Sequence, residues 1–264
     1  MDVNAGRCGT VDGGVNRVQA DSPDSAIRKE QRMDRKAWLQ EVRREAEERF
    51  DTVHAPTYDE NDPPATPAHR RFVTELISRC PPDGTILDSP CGTGKYFAMV
   101  LDAGRRVVGC DQSAGMLAQA AAKFPVVDTH KIGLQELAYD SEFDAAMCVD
   151  AMENVCPEDW PTVLANLRRA LRPGGYLYLT VEMTGADWLI ESFAIATERG
   201  LPVVPNEDTN RSGEAYHYYP PVIQVRSWLD AAGFDVIEDA HSDGDHPSYS
   251  YQHFLTRNGD RPPR

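Results

Sequence analysis

Short apolar runs alternate with amphipathic segments through the middle of the chain. The apolar runs lie at 85–89, 106–110, 126–130, 143–149 and 175–181. Segments with apolar residues at three- and four-residue steps lie between them, at 94–103, 113–122 and 157–171. The runs have the length of strands, and the segments have the period of helices. This alternation predicts an α/β protein with a parallel, doubly wound sheet.

The pattern changes beyond Glu182. A helix is predicted at 188–196, and a polar, proline-bearing excursion follows at 201–212. The aromatic cluster 215–220 has strand propensity. A helix at 222–232, ended by Gly233, then precedes two further strands at 234–237 and 249–256. Because long loops in compact domains are often lids, the insertion around 185–220 is predicted to be one.

The N-terminal part divides into a tail and a helical segment. Residues 1–34 have few large apolar side chains, which predicts a disordered tail. An amphipathic helix is predicted at 35–50, a loop where four prolines fall between His54 and Pro67, and a second helix at 69–80. The predicted organisation is therefore a tail, an N-terminal helical lid segment at 35–82, and a main domain at 83–258.

A glycine-bearing turn follows the first predicted strand. Asp88 ends this strand, and Gly92 and Gly94 lie in the turn before an amphipathic segment. Glycines let backbone approach a ligand closely, and the start of the following helix offers unpaired N–H groups. Asp111 ends the second apolar run, about twenty residues later, where nucleotide-binding α/β domains place an acid that holds ribose hydroxyls.

These residues resemble a known family. The pattern D-x-x-C-G-T-G at 88–94, followed by V-V-G-C-D at 107–111, is similar to motifs I and II of class I S-adenosylmethionine-dependent methyltransferases. Stretches at 133–137, 143–155 and 171–175 match further family motifs in order. The resemblance implies a Rossmann-like seven-stranded, mostly parallel sheet with helices on both faces, an antiparallel last strand and an N-terminal helical lid.

The resemblance also implies a site for S-adenosylmethionine at the carboxyl ends of the strands. Cys91, Gly92 and Gly94 would lie against its methionyl end, and Asp88 would hold the ammonium, directly or through water and loop amides. Asp111 would accept hydrogen bonds from both ribose hydroxyls. Further contacts are implied for Gln112, Met116, Gly133, Leu134 and Gln135 around the adenine, for Asp150 and Ala151 beside the methionyl group and the acceptor, and for Tyr58 in the lid. For each acid the alternative is an N-cap or a solvated strand end, and for Tyr58 it is a surface residue that caps the loop.

The implied reaction is an in-line transfer of the methyl group to a small organic acceptor at oxygen, nitrogen or carbon. Alignment and desolvation supply most of the rate, but an oxygen acceptor also needs a base. The candidate catalytic residues are His217, which lies among lid tyrosines, Tyr58 and Glu153. His217 is equally well explained as a packing residue. His54 and His253 are weaker candidates, because His253 shares a strand face with Tyr249 and Tyr251.

Two other functions use the same sheet. One is a non-catalytic module that binds S-adenosylmethionine or S-adenosylhomocysteine. The other is a nicotinamide-dependent dehydrogenase, which is disfavoured because Phe97 stands where the third glycine of G-x-G-x-x-G belongs.

Charge and composition limit the classes of partner that the protein is expected to bind. The net charge of −15 disfavours nucleic acid as a partner, since such a field repels polyanions. No apolar run reaches the length of a membrane span, and the first residues do not have the pattern of a signal peptide, which together predict a cytoplasmic protein. The expected assembly is a monomer or a homodimer. The six cysteines form no C-x-x-C pair and are expected to be reduced thiols. The stretch 241–246 has metal-ligating residue types but reads as a polar turn, so no metal is predicted.

Overall fold

A seven-stranded sheet forms the centre of the molecule, in the order β3-β2-β1-β4-β5-β9-β8. The computed structural model describes residues 33–61, 65–209, 215–242 and 249–260. The sheet strands are β1 (Thr85–Asp88), β2 (Arg106–Asp111), β3 (Asp128–Lys131), β4 (Phe143–Cys148), β5 (Leu171–Met183), β8 (Phe234–Ser242) and β9 (Ser250–Asn258). Two short strands, β6 (Glu207–Asp208) and β7 (His217–Tyr218), pair separately.

Eight α-helices accompany these strands in the described part of the chain. They are α1 (Arg35–Arg49), α2 (Tyr58–Asn61), α3 (Pro67–Arg79), α4 (Phe97–Asp102), α5 (Ala114–Lys123), α6 (Trp160–Ala170), α7 (Ala186–Glu198) and α8 (Val222–Ala232). Single 3₁₀ turns follow β3 and β4, at Leu134–Glu136 and Met152–Asn154.

The sheet has its topological switch point at β1. This strand pairs in parallel with β2 on one side and with β4 on the other, so the chain turns in opposite directions from it. The last strand, β9, runs antiparallel to both β5 and β8. The predicted Rossmann-like sheet with an antiparallel last strand is therefore confirmed. A ligand site is expected beyond the carboxyl ends of β1 and β4, where the strand order reverses.

Both faces of the sheet are buried. Successive residues of β4 enter different apolar clusters: Ala145 and Met147 pack with α3 and α4, whereas Ala146 and Cys148 pack with α6. All four side chains are fully buried. A strand covered on both faces reads as a continuous apolar run, which is the pattern that the sequence carries here.

The proline-rich stretch after α1 departs from the prediction. A loop was predicted from His54 to Pro67, but the chain remains helical through a π-helical turn at Phe50–His54, a 3₁₀ turn at Ala55–Thr57 and α2. Pro56 lies in the first turn of the 3₁₀ segment, where its missing N–H costs no hydrogen bond. Residues 62–64, with two of the four prolines, lie outside the described residues.

The fifth strand also begins earlier than predicted, at Leu171 rather than at 175. Leu171 pairs with Phe143, and the register then shifts before Ala145 pairs with Tyr176. Gly174, with φ of 77°, takes the left-handed conformation that this irregularity needs. The predicted turn at 172–175 is thus a break within a longer strand.

The described ranges bear on three further predicted features, which are membrane-spanning helices, metal ligands and cysteines. Within these ranges no helix combines the length and the apolar character that a bilayer crossing needs. The same ranges hold no group of three His, Cys, Asp or Glu residues suited to a metal ion. Cys80, Cys91, Cys110, Cys148 and Cys156 are free and buried. The predicted tail up to residue 32, with Cys8, and most of the 241–246 stretch lie outside the described residues.

Candidate functional site

A cavity of about 710 Å³ lies between α1 and the carboxyl ends of β1, β2 and β4. This volume is within the roughly 300–1,000 Å³ that small-molecule and cofactor sites occupy. The sequence-predicted residues that line it are Tyr58, Cys91, Gly92, Asp111, Gln112, Met116, Gly133, Leu134, Gln135, Asp150 and Ala151. Asp88, Gly94, Glu153 and His217 do not line it.

The glycine loop gives the cavity a wall of backbone. Gly92 has φ of 52° and Gly94 has φ of 82°, which are left-handed conformations that favour glycine. A Cβ at Gly92 would meet no heavy atom within 4 Å, so the loop leaves open space at this point. A Cβ added at Gly94 would lie 2.7 Å from the ring of Phe97. The place of the third glycine in a dinucleotide-binding loop is thus filled by a buried aromatic ring.

Asp111 is held in place by this loop. Its Oδ2 accepts a hydrogen bond from the Gly92 amide at 2.9 Å, and its Oδ1 accepts one from the Ser113 amide at 2.8 Å. Burial raises the pKa of Asp111, while these amide donors act in the opposite direction. A carboxylate has about four lone-pair sites, so acceptor capacity remains for a ligand hydroxyl in the cavity.

Asp88 lies behind the loop rather than in the cavity. Its side chain is 1% exposed, and its Oδ2 has no hydrogen-bond partner among the described residues. Burial, with the charge of Asp111, raises the pKa of Asp88 well above its ordinary value. The side chain therefore favours the neutral acid, and it does not line the cavity.

Replacing Asp88 by asparagine is consequently expected to leave the affinity for S-adenosylhomocysteine within about twofold of the wild type. Asparagine matches the neutral acid in shape and adds no buried charge. In the wild type, Asp88 ionises readily only in the unfolded chain, so it lowers the free energy of unfolding as pH rises above its unfolded pKa of about 3.9. Asp88→Asn should remove this pH-dependent destabilisation. Isothermal titration calorimetry and urea unfolding at several pH values check both statements. A tenfold loss of affinity would return Asp88 to the binding site.

The carbonyl groups at the adenine end of the predicted site are fixed by α6. Asn166 donates from its Nδ2 to the carbonyl oxygens of Leu134 and Gln135, at 3.1 Å and 2.9 Å. The Gln135 amide in turn contacts Asp159 at 3.2 Å. These bonds hold the 3₁₀ turn after β3 against the cavity, where Gly133, Leu134 and Gln135 form part of its lining.

The helix α1 covers the cavity along its length. Leu39, Val42, Ala46 and Phe50 recur at three- and four-residue steps and all contribute to the lining. Trp38 is buried, with its ring centroid 5.8 Å from that of Tyr216. The sequence predicts this covering face as an amphipathic stripe, and the family resemblance implies that it forms a lid.

Charged side chains attach this N-terminal segment to the sheet. Arg35 contacts Glu158 at 2.5 Å and Glu207 at 2.6 Å, and Arg43 contacts Glu136. Beyond α1, Asp51 accepts a hydrogen bond from the Ser113 hydroxyl at 2.6 Å. Asp59 accepts one from the Thr93 hydroxyl at 2.5 Å. The segment therefore contacts both the glycine loop and the start of α5.

Asp150 has the most unusual backbone in the cavity lining. Its φ is 51°, a left-handed conformation that costs a non-glycine residue about 1–3 kcal/mol. The Asp150 amide donates to Thr180 Oγ1 at 2.9 Å, and its Oδ1 lies 3.2 Å from His69 Nε2. His69 is itself fixed by Thr66, whose hydroxyl lies 2.7 Å from His69 Nδ1. These contacts hold the carboxylate in one orientation.

The ionised form of Asp150 is favoured by its neighbours. Burial alone would raise the pKa of Asp150, but hydrogen bonds from His69 and Tyr251 and the charge of Lys95 lower it below its ordinary value. Lys95 Nζ lies 3.9 Å from Asp150 Oδ2, and both side chains line the cavity. His69, Lys95 and Tyr251 were not predicted as site residues, since their proximity depends on three separate elements.

Two of the three residues predicted as catalytic, His217 and Glu153, lie away from the cavity. His217 is on β7, where Nδ1 lies 3.3 Å from the Tyr219 hydroxyl and burial lowers the pKa of His217. Glu153 is 5% exposed, and burial followed by the charge of Glu182 raises the pKa of Glu153 well above its ordinary value. Neither side chain is part of the cavity lining. Among the three predicted catalytic residues, only Tyr58 lines it.

Known proteins share both the motifs and the fold. A methyltransferase domain family matches residues 86–175. Demethylmenaquinone methyltransferase of Renibacterium salmoninarum is 31% identical over 193 residues, which are 69% of this chain and 76% of that protein. Malonyl-[acyl-carrier protein] O-methyltransferase of Serratia marcescens is 31% identical over 110 residues, which are 40% of this chain and 41% of that protein. This chain thus spans less than half the length of the Serratia relative.

A solved structure agrees with the fold. The 1,6-didemethyltoxoflavin-N1-methyltransferase of Burkholderia thailandensis has a TM-score of 0.65 at 17% identity, over 86% of this chain and 92% of that chain. At this identity the likeness concerns the fold. Together with the Renibacterium relative and the motif order at 88–111 and 133–175, it shows that the chain belongs to the class I S-adenosylmethionine-dependent methyltransferases.

Proposed function

We propose that this chain transfers a methyl group from S-adenosylmethionine to a small organic acceptor. The observation that supports this most directly is Asp111, whose carboxylate is held by the Gly92 and Ser113 amides at the edge of the covered cavity. A carboxylate in this position is suited to a ribose, because it can accept hydrogen bonds from two neighbouring hydroxyls. The family membership supports the same cofactor.

S-adenosylmethionine, when bound, would supply an activated methyl group on a sulfonium. The residues that would hold it are Asp111 at the ribose, backbone of 91–93 at the methionyl end, and Gln112, Met116 and 133–135 around the adenine. The N-terminal segment, acting as a lid, would exclude water and align the reacting groups, and Tyr58 would be part of that closure. Proximity of this kind can lower a barrier by roughly 7–11 kcal/mol.

A small acceptor is supported by the lining of the cavity. Leu39, Val42, Val155, Cys156 and Tyr216 give one part of it an apolar surface. The Renibacterium relative is named for demethylmenaquinone, and the Burkholderia structure holds 1,6-didemethyltoxoflavin, both of which are small molecules. The net charge of −15 also favours such an acceptor over a nucleic acid.

Calorimetric titration with S-adenosylhomocysteine and with NAD tests the proposal. S-adenosylhomocysteine should bind in the micromolar range or tighter, and NAD should not bind measurably, because Phe97 fills the space near the glycine loop. The reverse preference would favour the dehydrogenase. Binding of S-adenosylhomocysteine without turnover of any acceptor would favour the non-catalytic binding module.

A further inference from the structure

A chain of buried polar groups leads from the cavity into the sheet. We call it the acid relay, and it consists of Asp150, Tyr251, Glu182 and Glu153. Glu182 on β5 and Tyr251 on β9 are paired across the two strands. The Tyr251 hydroxyl is within hydrogen-bonding reach of both Asp150 and Glu182. Because it has a single proton, it can donate to only one of these carboxylates at a time.

Asp150 is the member of the relay that faces the cavity. Its backbone is left-handed, and its amide donates a hydrogen bond to Thr180 Oγ1. Together with the contact to His69, these features keep the carboxylate at the cavity wall. Backbone strain of this kind is often found at functional sites, where surrounding contacts maintain it. The low pKa of Asp150 means that it can accept a proton briefly but does not retain it.

The far end of the relay is a pair of buried acids. Glu153 and Glu182 are 5% and 8% exposed, and Glu153 Oε2 has no hydrogen-bond partner among the described residues. Two neighbouring carboxyl groups in a buried site do not readily ionise together. Burial and the charge of Asp150 raise the pKa of Glu182 to about 7. The pair can therefore hold a proton near neutral pH.

We propose that the acid relay removes the proton that a neutral hydroxyl acceptor, a phenol or an enol, loses when it is methylated. The inference rests on the proposed methyltransferase function. The acceptor O–H bond would break and its proton would pass to Asp150 as the new carbon–oxygen bond forms and the bond between the methyl carbon and the sulfonium sulfur breaks, so that S-adenosylhomocysteine leaves. The Tyr251 proton moves to ionised Glu182, and the proton on Asp150 replaces it on Tyr251. The net change is one proton moved from the acceptor to the acid pair.

The charges beside Asp150 favour a neutral hydroxyl over other acceptors. An acceptor carboxylate would be repelled by Asp150 and needs no base, and a thiol ionises more readily without help. Lys95 lies next to Asp150 in the cavity wall, so its ammonium can stabilise the negative charge that develops on an acceptor oxygen. Asp150 is thus the proposed catalytic residue, and Tyr251 and Glu182 act through it.

The charged and polar groups around Glu182 determine the pH at which it titrates. Asp150 and Glu153 face it from beyond the end of β4, and the negative charge of Asp150 opposes its ionisation. Tyr251 approaches from β9, Tyr249 from the residue before that strand, and Tyr219 from the segment after β7. His69 on α3 and Lys95 in the glycine loop act on Asp150. The Tyr251 hydroxyl connects the cavity-facing acid with Glu182 of the buried pair by hydrogen bonds.

The connection can be measured without an acceptor. In protein labelled with ¹³C at the glutamate carboxyl carbon, one resonance should titrate near pH 7 and should disappear in Glu182→Gln. Tyr251→Phe should move this titration to higher pH, because it removes a hydrogen bond that favours the ionised form. The control Tyr139→Phe removes a hydroxyl that contacts Cys110 on β2 and should not move it. An ordinary glutamate titration near 4.3, or one unaffected by Tyr251→Phe, would overturn the relay.

The functional role is tested with 2-naphthol and 2-naphthalenethiol, which match in shape and differ in the atom that loses a proton. Formation of S-adenosylhomocysteine from S-adenosylmethionine and 2-naphthol should fall roughly 100-fold in Tyr251→Phe and Glu182→Gln, and the rise of kcat near neutral pH should be lost. The thiol should lose much less, and KM should change little. Failure to bind S-adenosylhomocysteine would contradict the proposed function. Methylation of 2-naphthol with an unchanged pH profile in both variants would overturn the relay alone.

Discussion

Asp111→Ala is expected to weaken binding of S-adenosylhomocysteine by about 1.5–3 kcal/mol, which is roughly one to two orders of magnitude in Kd. The substitution removes the charged acceptor proposed for the two ribose hydroxyls. It also leaves the Gly92 and Ser113 amides without the carboxylate that they bond, so the glycine loop loses its fixed position. Isothermal titration calorimetry at neutral pH measures the effect.

Two comparisons make this expectation specific. Asp128→Asn removes an exposed carboxylate from the neighbouring strand and should leave the affinity unchanged. In the wild type, the affinity for S-adenosylhomocysteine should decrease as pH falls, because the protonated acid loses acceptor capacity. Since burial raises the pKa of Asp111, this decrease should begin at a higher pH than an ordinary aspartate would give. An Asp111→Ala variant with wild-type affinity would remove Asp111 from the binding site.

Arg35→Ala is expected to destabilise the protein by about 3 kcal/mol, the lower end of the range for breaking a buried ion pair. The Glu207 side chain is fully buried, and its two oxygens receive both Arg35 Nη atoms, at 2.6 Å and 3.0 Å. The Tyr216 hydroxyl and the Val204 amide also donate to Glu207 and would remain after the substitution. Urea unfolding gives the change in free energy, and hydrogen exchange should show faster exchange in α1 and in β6.

A matched substitution lies two turns further along the same helix. Arg44 pairs with Glu41 and Glu48, but its side chain is 57% exposed. Such surface pairs contribute about 0–1 kcal/mol, so Arg44→Ala should have little effect on unfolding or exchange. Equal destabilisation by the two substitutions would show that the loss of helix charge, rather than the buried Glu207, causes the effect.

The sheet was predictable because it is encoded locally. The apolar runs from β1 to β5 are bounded by glycine, proline and acidic residues, and the helices between them follow the 3.6-residue period. The prediction was wrong between His54 and Asn61, where prolines suggested a loop. A proline in the first turn of a helix costs no hydrogen bond, so proline content alone could not distinguish a loop from a series of short helical turns.

The candidate site was predictable where its residues are close to one motif. Gly92, Asp111 and Gln135 follow the ends of consecutive strands, and parallel strands bring these ends together at one edge of the sheet. Asp88 does not line the cavity, because a strand-end acid can point either into a site or behind it. The side-chain alternation of a strand cannot identify the buried side without knowledge of what covers each face.

By itself the sequence determined the element order, the glycine turn and the acid at the end of β2, because spacing along the chain sets these features. Only the tertiary structure decided which side chains meet between distant segments. It brought His69, Asp150 and Tyr251 together from three elements and enclosed Glu153 and Glu182 as a buried acid pair. The physical reason is that charge, burial and hydrogen bonding depend on neighbours in space, and more than one arrangement of neighbours is compatible with the same local pattern.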